Sequence, residues 1–227
     1  RCFGTRGNAT LPDKIILILS HSKKFIFFAV PRTGTHSARE VLRAHLEADD
    51  WEQQVLNGRQ LAPIDAIAKI GHGHISVREI RQFLTTDIWE TYYKFAIVRN
   101  PFDRFISVCS FLNRGNDEFR SNPIGWMKAA LRRPKFKNRV LVRPQLHQLV
   151  DANNKLGLDY IGRYEDLQES IDSIMSNLGL PITHLNKRNS SAHADYRNYY
   201  DEELQEIVAG YYKGDLELFG YNFQTLS

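Results

Sequence analysis

The chain has 227 residues, of which 42% are hydrophobic and 25% are charged, and its formal net charge is +4 at pH 7. This hydrophobic content fills one ordinary core, so we expect a single domain over residues 1–227, with residues 1–22 at its periphery. The small positive charge favours anionic partners and excludes a histone-like polybasic chain. With only Cys2 and Cys109, a disulfide framework is excluded, and the apolar helical pattern around Cys109 predicts a buried free thiol.

The first predicted unit is a strand that leads directly into a helix. Residues 24–30 form a continuous run rich in aromatic and β-branched side chains that ends at Pro31, which predicts a buried strand. A loop of small residues follows. Apolar residues then recur with helical spacing at Ala38, Val41 and Leu42.

The same order recurs further along the chain. Ser76 and Glu79 form a capping box that begins a helix, and residues 93–98 predict a second strand. Asn100 and Pro101 then start another helix, as its N-cap and its first residue. The apolar faces of the two helices are Ile80, Phe83 and Leu84 in the first, and Phe102, Phe105, Ile106 and Cys109 in the second.

The last third of the chain predicts a third core strand at residues 160–164, a helix after it, and a final helix that begins at Asp201. The apolar positions of these helices are Ile171, Ile174, Met175 and Leu178, and then Leu204, Ile207, Val208 and Tyr211. Strands that alternate with helices imply an α/β layer fold with a largely parallel sheet. Ligands of such sheets bind at the carboxyl ends of the strands, where the loops after residues 30 and 98 lie.

The loop after the first predicted strand carries groups that stabilise a phosphate. Residues 31–37 read Pro-Arg-Thr-Gly-Thr-His-Ser and combine a cation, a flexible glycine, hydroxyls and the free amides of a helix N-terminus. The Walker A spacing is missing, because the cation precedes the glycine. Taken alone, this loop is as consistent with an ordinary strand-to-helix turn as with phosphate binding.

The loop after the second predicted strand, residues 99–107, reads Arg-Asn-Pro-Phe-Asp-Arg-Phe-Ile-Ser. Alone it predicts a capped helix with solvated arginines. Together and in this order, the two loops resemble the two PAPS-binding signatures of the PAPS-dependent sulfotransferase superfamily, carbohydrate type, where PAPS is 3′-phosphoadenosine-5′-phosphosulfate. The resemblance covers roughly residues 23–223. It implies a P-loop-NTPase-like three-layer fold and the release of adenosine 3′,5′-bisphosphate, with no metal required.

The resemblance also implies roles for individual residues. The positions that match the family's loop around the 5′-phosphosulfate are Arg32, Thr33, Gly34, Thr35, His36 and Ser37. Many members carry lysine at the position of Arg32. The arginine here is a catalytic candidate as a charge clamp on the departing phosphate, whereas proton donation to the leaving group stays open. Arg99 and Ser107 match the family's contacts with the 3′-phosphate. In the tail, Lys187 or Arg188 is expected to help bind phosphate, with a solvated basic turn as the alternative.

A histidine suits the task of removing the acceptor's proton. The run Gly71-His72-Gly73-His74 resembles the H-G-H motif of heparan sulfate and uronyl 2-O-sulfotransferases, in which the second histidine is taken as the base. The resemblance therefore implies that His74 is the base and that His72 positions the acceptor. A zinc site is disfavoured, because two histidines at this spacing have no cysteine or clustered carboxylate beside them.

The densest basic stretch, residues 132–139, lies between the two signatures and the tail. Its candidates for substrate binding are Arg132, Arg133, Lys135 and Lys137. A solvated charge run is the usual explanation for such a stretch. Beside a sugar sulfotransferase core, it predicts a groove for a carbohydrate or other hydroxyl acceptor, including an acidic oligosaccharide.

Two other functions stay open at this point. A nucleotide-dependent small-molecule kinase shares the architecture but requires a Walker A lysine and a magnesium-binding aspartate, which are not evident here. A non-catalytic module that binds nucleotide or polysaccharide does not need His74. Nucleic-acid binding is disfavoured, because the basic stretch lacks interleaved aromatic residues.

The apolar runs are far shorter than the roughly 20 residues of a membrane span, so we expect none in this chain. The sequence begins at Arg1 and has no signal-peptide pattern. The short chain and the scarcity of cysteine favour a cytoplasmic enzyme of bacterial type. The alternative is the Golgi lumen, with an anchor upstream of this sequence. The sequence leaves the oligomeric state open.

Overall fold

A five-stranded sheet forms the centre of the computed structural model, which describes residues 17–52, 62–70, 72–185 and 195–225. Its strands are β1 (Leu17–Ser20), β2 (Phe25–Phe28), β3 (Trp51–Glu52), β4 (Tyr93–Val98) and β5 (Tyr160–Arg163). The spatial order is β3-β1-β2-β4-β5. The pairs β2–β4 and β4–β5 are parallel, whereas β1 is antiparallel to β2 and to β3.

Helices connect the strands and continue beyond them. In the described ranges they are α1 (Thr35–Arg43), α2 (Asp65–Ala68), α3 (Val77–Arg81), α4 (Thr86–Thr91), α5 (Pro101–Leu112), α6 (Asp117–Ser121), α7 (Pro123–Leu131), α8 (Pro134–Lys137), α9 (Leu146–Leu149), α10 (Leu167–Asn177), a 3-10 turn (Tyr196–Tyr199), α11 (Glu202–Tyr211) and α12 (Lys213–Phe219). Within these ranges, no helix has the length and apolar character that crossing a membrane requires.

The sheet buries both of its faces, which explains why its strands are continuous apolar runs. Ile26 and Phe28 face one side, with residues of α3, α9 and α12, whereas Phe25 and Phe27 face the other, with residues of α1 and α10. This arrangement is an α/β fold of three layers. A separate apolar cluster joins α5, α7 and α11 and includes the buried free thiol of Cys109, as predicted.

Several predicted elements are confirmed. Strand β4 has the predicted bounds, and both halves of the Ser76–Glu79 capping box are present. Asn100 is the N-cap of α5, with Pro101 in its first turn. Asp201 is likewise the N-cap of α11, where its side chain accepts a hydrogen bond from the Leu204 amide. Short-range signals of this kind form within one helical turn and need no tertiary partner.

Other expectations are wrong. Phe83, predicted on the apolar face of its helix, lies beyond the end of α3 and is 42% exposed. The helix that begins after Asp201 is not the last, because α12 follows it. Strand β1 was not predicted as a strand, and it lies inside the segment 1–22 that was assigned to the periphery. All four of its residues are buried, because β1 pairs with both β2 and β3.

Candidate active site

The loop after β2 is held by side chains that bond each of four successive carbonyls. The Ala29 carbonyl accepts from His74 and Gln148, and the Val30 carbonyl accepts from Thr33. In the same way, the Pro31 carbonyl accepts from Arg104. The Arg32 carbonyl accepts from Arg99. Because these carbonyls are already bonded, none of the four is left as an unsatisfied buried acceptor in this loop.

The start of α1 adds free backbone donors to this loop. The first hydrogen bond at the start of α1 runs from the Ala38 amide to the Gly34 carbonyl, over 3.1 Å. The preceding amides of Thr35, His36 and Ser37 have no acceptor among the described residues, as is general for the first turn of a helix. Such a helix start stabilises an anion through its N–H groups and its dipole.

Gly34 is required at this place by its conformation and by its neighbours. Its φ is +76°, in the left-handed region that glycine adopts without strain. A Cβ at this position would lie 2.8 Å from Leu167 Cδ2 and 3.1 Å from the Tyr164 ring. The close approach of α10 to the loop therefore depends on the missing side chain.

Arg32 joins the two loops. Its Nε donates to the Ser107 hydroxyl over 3.0 Å, and its guanidinium lies 5.1 Å from the centre of the Phe111 ring. Burial, and then repulsion by Arg99 and Arg114, lowers the pKa of Arg32 to about 10. The side chain thus stays cationic at neutral pH. It has no carboxylate partner in the part of the chain that the structure describes.

Arg99 is close to Arg32 but is bonded differently. It is 3% exposed, its Nη2 lies 2.7 Å from Asp103 Oδ2, and its guanidinium stacks 4.0 Å from the centre of the Tyr164 ring. Its Nη1 also donates to the Arg32 carbonyl over 3.2 Å. The structure thus brings Arg32, Arg99 and Ser107 together. The carboxylate of Asp103 occupies part of the Arg99 fork.

The remaining residues of the first signature have distinct places. Thr33 is buried and its hydroxyl donates to the Val30 carbonyl over 2.9 Å, so it stabilises the turn. His36 Nε2 lies 3.4 Å from Glu40 one helical turn away, at a partly exposed position. Thr35 and Ser37 are half-buried in the first turn of α1. Of these residues, only Thr33 has a hydroxyl that is already bonded within the loop.

His74 lies at a cavity of about 90 Å³ beside this loop. The cavity is enclosed by Pro31, by residues of the segment 72–79, by Arg104 and by residues of the segment 140–148. His74 Nδ1 is 2.7 Å from the Ala29 carbonyl oxygen, which can only accept, so Nδ1 carries the proton and Nε2 carries a lone pair. Burial lowers the pKa of His74 to about 4, and the neutral ring is therefore the form present at pH 7.

His72 lies at the same cavity, so the structure brings the two histidines together. Its Nδ1 is buried and has no hydrogen-bond partner among the described residues. The pKa of His72 is lowered, mainly by burial, although the Glu79 carboxylate acts in the opposite direction. A neutral His72 thus offers an unsatisfied nitrogen at the cavity, which suits the positioning of a polar substrate group.

The basic stretch lies on α8 and the residues just before it. Arg132, Arg133 and Lys135 are exposed, and Arg132 Nη2 is 3.4 Å from Glu203 Oε1. Lys137 is half-buried, with its Nζ 5.9 Å from the centre of the Tyr211 ring. None of these four residues lines the cavity at His74. Val140 and Arg143, which follow the basic stretch along the chain, do line it.

Lys187 and Arg188 lie outside the described residues. Among those that are described, no group of three or more histidine, cysteine, aspartate or glutamate side chains could hold a metal ion.

Three residues of the site were missed in the sequence. Arg104 is fully buried, and its Nη2 donates to the Leu141 and Arg143 carbonyls. Arg114 flanks the Phe111 ring on which Arg32 also lies, which adds a third cation to the cluster. Gln148 bonds the Ala29 and Ile75 carbonyls. Arg104 alone had a sequence signal, because it lies within the second signature, residues 99–107.

Comparison with known proteins identifies the family. The family model described as "Sulfotransferase family" matches residues 17–222. An uncharacterized protein of Archaeoglobus fulgidus is 26% identical over 123 residues, which cover 52% of this chain and 93% of that protein. No solved structure matches the chain. Since the family model covers most of the chain, including both loops and the histidine pair, this protein belongs to the sulfotransferase family, the transferases of sulfuryl groups.

Proposed function

We propose that this protein transfers the sulfuryl group of PAPS to a hydroxyl of a carbohydrate acceptor, by in-line displacement with His74 as the base. The observation that supports this most strongly is the bond from Arg32 Nε to the Ser107 hydroxyl. It joins the loops that follow two adjacent parallel strands, β2 and β4, which is the usual place for a ligand in such a sheet. His74 contacts the start of the first of these loops, because its Nδ1 donates a hydrogen bond to the Ala29 carbonyl.

The residues present fit the donor PAPS. The free amides at the start of α1 and the cation of Arg32 suit its 5′-phosphosulfate, and Ser107 and Arg99 suit its 3′-phosphate. The three cations Arg32, Arg99 and Arg114 lie near two carboxylates, Asp103 and Glu165, so the cluster keeps an excess of positive charge. PAPS supplies the sulfuryl group and leaves as adenosine 3′,5′-bisphosphate.

His74 is suited to take the proton of the acceptor hydroxyl. Its Nδ1–H is engaged by the Ala29 carbonyl, which fixes the ring and leaves Nε2 as the basic atom. Its pKa of about 4 makes it a weak base before reaction. The hydroxyl becomes much more acidic as its oxygen bonds to sulfur, and at that stage proton transfer to Nε2 is favourable. His72 orients the acceptor from the same cavity.

The acceptor binds along a surface that leads from the cavity to the basic stretch. Arg143 lies at the cavity, and Arg132, Arg133 and Lys135 are exposed further along the same segment. A row of exposed cations favours an acidic oligosaccharide over a neutral one. The proposal therefore includes a carboxylated or sulfated carbohydrate as the acceptor.

A calorimetric titration tests the proposed function. We expect adenosine 3′,5′-bisphosphate to bind more tightly than ATP, and equally well with and without Mg²⁺. The variant Arg120→Ala is expected to bind the bisphosphate as tightly as the wild type does, because this exposed arginine pairs with Asp117 on α6, outside the residues assigned to the donor. A protein that binds the bisphosphate is then given PAPS and a panel of mono- and oligosaccharides, and release of the bisphosphate is measured.

Each alternative has its own outcome in these experiments. Magnesium-dependent binding of ATP with no preference for the bisphosphate would indicate a kinase. Binding of the bisphosphate without turnover of PAPS on any acceptor would indicate a non-catalytic module.

A further inference from the structure

Gln148 is a buried polar residue at the cavity of His74 that no role assigned above explains. It lies on α9, it is 8% exposed, and it lines the same cavity as His72 and His74. Its Nε2 donates to the Ala29 carbonyl over 3.0 Å and to the Ile75 carbonyl over 3.2 Å. One amide group therefore ties the end of β2 to the segment that carries both histidines.

These two bonds determine which way the amide points. A carbonyl oxygen only accepts hydrogen bonds, so the end of the side chain between Ala29 and Ile75 must be the NH₂ group. The Oε1 atom, on the other arm of the planar amide, is directed away from both carbonyls. In the described part of the chain, Oε1 has no hydrogen-bond partner.

His74 and Gln148 are held beside each other by one atom, the Ala29 carbonyl oxygen. Both donate to the Ala29 carbonyl oxygen, so their donor nitrogens lie within two hydrogen-bond lengths of each other. On the side away from the Ala29 carbonyl, the His74 ring carries its basic Nε2 and the Gln148 amide carries Oε1. Among the residues that line the cavity there is thus a proton acceptor for the reacting hydroxyl and, close by, a second acceptor that has no protein partner in the described part of the chain.

We propose that Gln148 Oε1 accepts a hydrogen bond from a second hydroxyl of the acceptor, adjacent to the hydroxyl that receives the sulfuryl group. This inference rests on the proposed function and specifies its substrate class. The acceptor is a vicinal diol, as a sugar ring provides, and a lone alcohol is a poorer ligand. Gln148 is a specificity-determining residue, because an acceptor without the second hydroxyl displaces water from Oε1 and gives it no hydrogen bond in return.

The test compares two small probes on the protein saturated with adenosine 3′,5′-bisphosphate. The affinities of trans-1,2-cyclohexanediol and of cyclohexanol are measured by ligand-observed NMR. The diol is expected to bind about two- to ten-fold more tightly, beyond the two-fold statistical advantage of two hydroxyls, which is the scale of one neutral hydrogen bond. A ratio that does not exceed the statistical factor, or a diol that does not bind, would overturn the proposal.

Two variants separate the role of Oε1 from that of the NH₂ group. Gln148→Leu removes both groups, and Gln148→Lys keeps a donor for the two carbonyls but has no acceptor. Both are expected to lose the preference for the diol. The ratio of two affinities is the readout, because a general distortion of the cavity weakens both probes alike. An unchanged ratio in either folded variant contradicts the assignment, and if neither folds, the wild-type ratio decides.

Gln168→Leu is the matched control. Its amide also bonds backbone groups, at Thr183 and Leu185, but it lies on α10 and does not line the cavity. The wild-type preference is expected to persist in it. Failure of the proposed function has a different signature, because the bisphosphate itself would then not bind. Binding of the bisphosphate without a preference for the diol removes only the role of Gln148.

Discussion

The loop after β2 and the basic stretch on and before α8 both present positive charge, but they do so in opposite ways. Around the loop, Arg32, Arg99 and Arg104 are largely buried and are held by carbonyls, a hydroxyl and one carboxylate. On the basic stretch, Arg133 and Lys135 are exposed, and no hydrogen bond or ion pair with another described residue holds their side chains. The attraction of a buried cation for an anion is weakened little by solvent and is confined to one place. The attraction of an exposed cation is screened by salt and extends over a broad surface.

This difference indicates a division of labour between the two regions. An anion with fixed geometry, such as the phosphates of a nucleotide, is bound by groups whose positions are fixed in advance. An extended acidic acceptor requires a favourable potential more than an exact geometry. The predictions below test this division by changing one region at a time.

The largest effect is expected for His74→Ala, which removes the proposed base from the buried region. Turnover of PAPS with acceptor should fall by about 100- to 10,000-fold, the usual contribution of a general base, while the affinity for adenosine 3′,5′-bisphosphate changes little. Steady-state kinetics and calorimetry measure the two effects. His184→Ala is the control, because this exposed histidine lies outside the cavity. Unchanged turnover in His74→Ala would exclude this residue as the base.

The pH dependence of the wild-type enzyme sharpens the same assignment. As the proposed base, His74 would act in its neutral form, and burial lowers its pKa from 6.5 to about 4. Its contribution to kcat/KM is therefore complete above pH 6.5 and is lost only as the pH falls through about 4 in the free enzyme. An acidic limb near pH 6.5 that disappears in His74→Ala would contradict this environment.

A smaller effect is expected for Arg99→Ala. Loss of a charge-assisted bond should weaken binding of adenosine 3′,5′-bisphosphate by about 1.5 to 3 kcal/mol, or roughly 10- to 150-fold. Adenosine 5′-monophosphate, which lacks the 3′-phosphate, should lose less affinity. Calorimetry on both nucleotides separates a contact with the 3′-phosphate from a general loss of structure. Equal losses for the two nucleotides would rule out a direct contact with the 3′-phosphate.

Gly34→Ala tests the packing of α10 against the loop. A left-handed φ costs a non-glycine residue about 1 to 3 kcal/mol, and the new Cβ would also lie 2.8 Å from Leu167. Gly115→Ala is the matched control, since its φ is +81° and no atom lies within 4 Å of the added Cβ. Thermal unfolding should show a larger loss of stability for Gly34→Ala. Equal losses would mean that the contact with α10 is unimportant.

The smallest effect is expected on the basic stretch. Lys135→Ala should weaken binding of an oligosaccharide of alternating uronic acid and hexosamine by about two- to five-fold at low salt, and less at physiological ionic strength, because exposed charges are screened. Lys155→Ala, another exposed lysine, is the control and lies outside this stretch. Titrations at two salt concentrations measure the effect. A loss of affinity that does not depend on salt would indicate a specific contact of Lys135 with the acceptor, and it would contradict the proposed division of labour between the two regions.

Much of the fold was predictable because its signals are local. The apolar run before Pro31, the Asn100-Pro101 pair and the Ser76–Glu79 box each act within a few residues, and each is found where it was predicted. Strand β1 and the two-residue β3 were not predicted, because short apolar segments become strands only when a partner strand is beside them. Phe83 had helical spacing, but its helix ends too early to bury it.

The sequence by itself determined the order of strand, loop and helix, the two loops with their arginines, and the pair of histidines. It could do so because residue type and spacing along the chain carry these features. Only the tertiary structure decided that Arg32 reaches Ser107, and that His74 and Gln148 meet at the Ala29 carbonyl. These contacts join residues 45 to 119 positions apart, and no local pattern encodes them. The parallel pairing of β2 with β4 brings the loops together, and folding of α9 against the end of β2 completes the cavity.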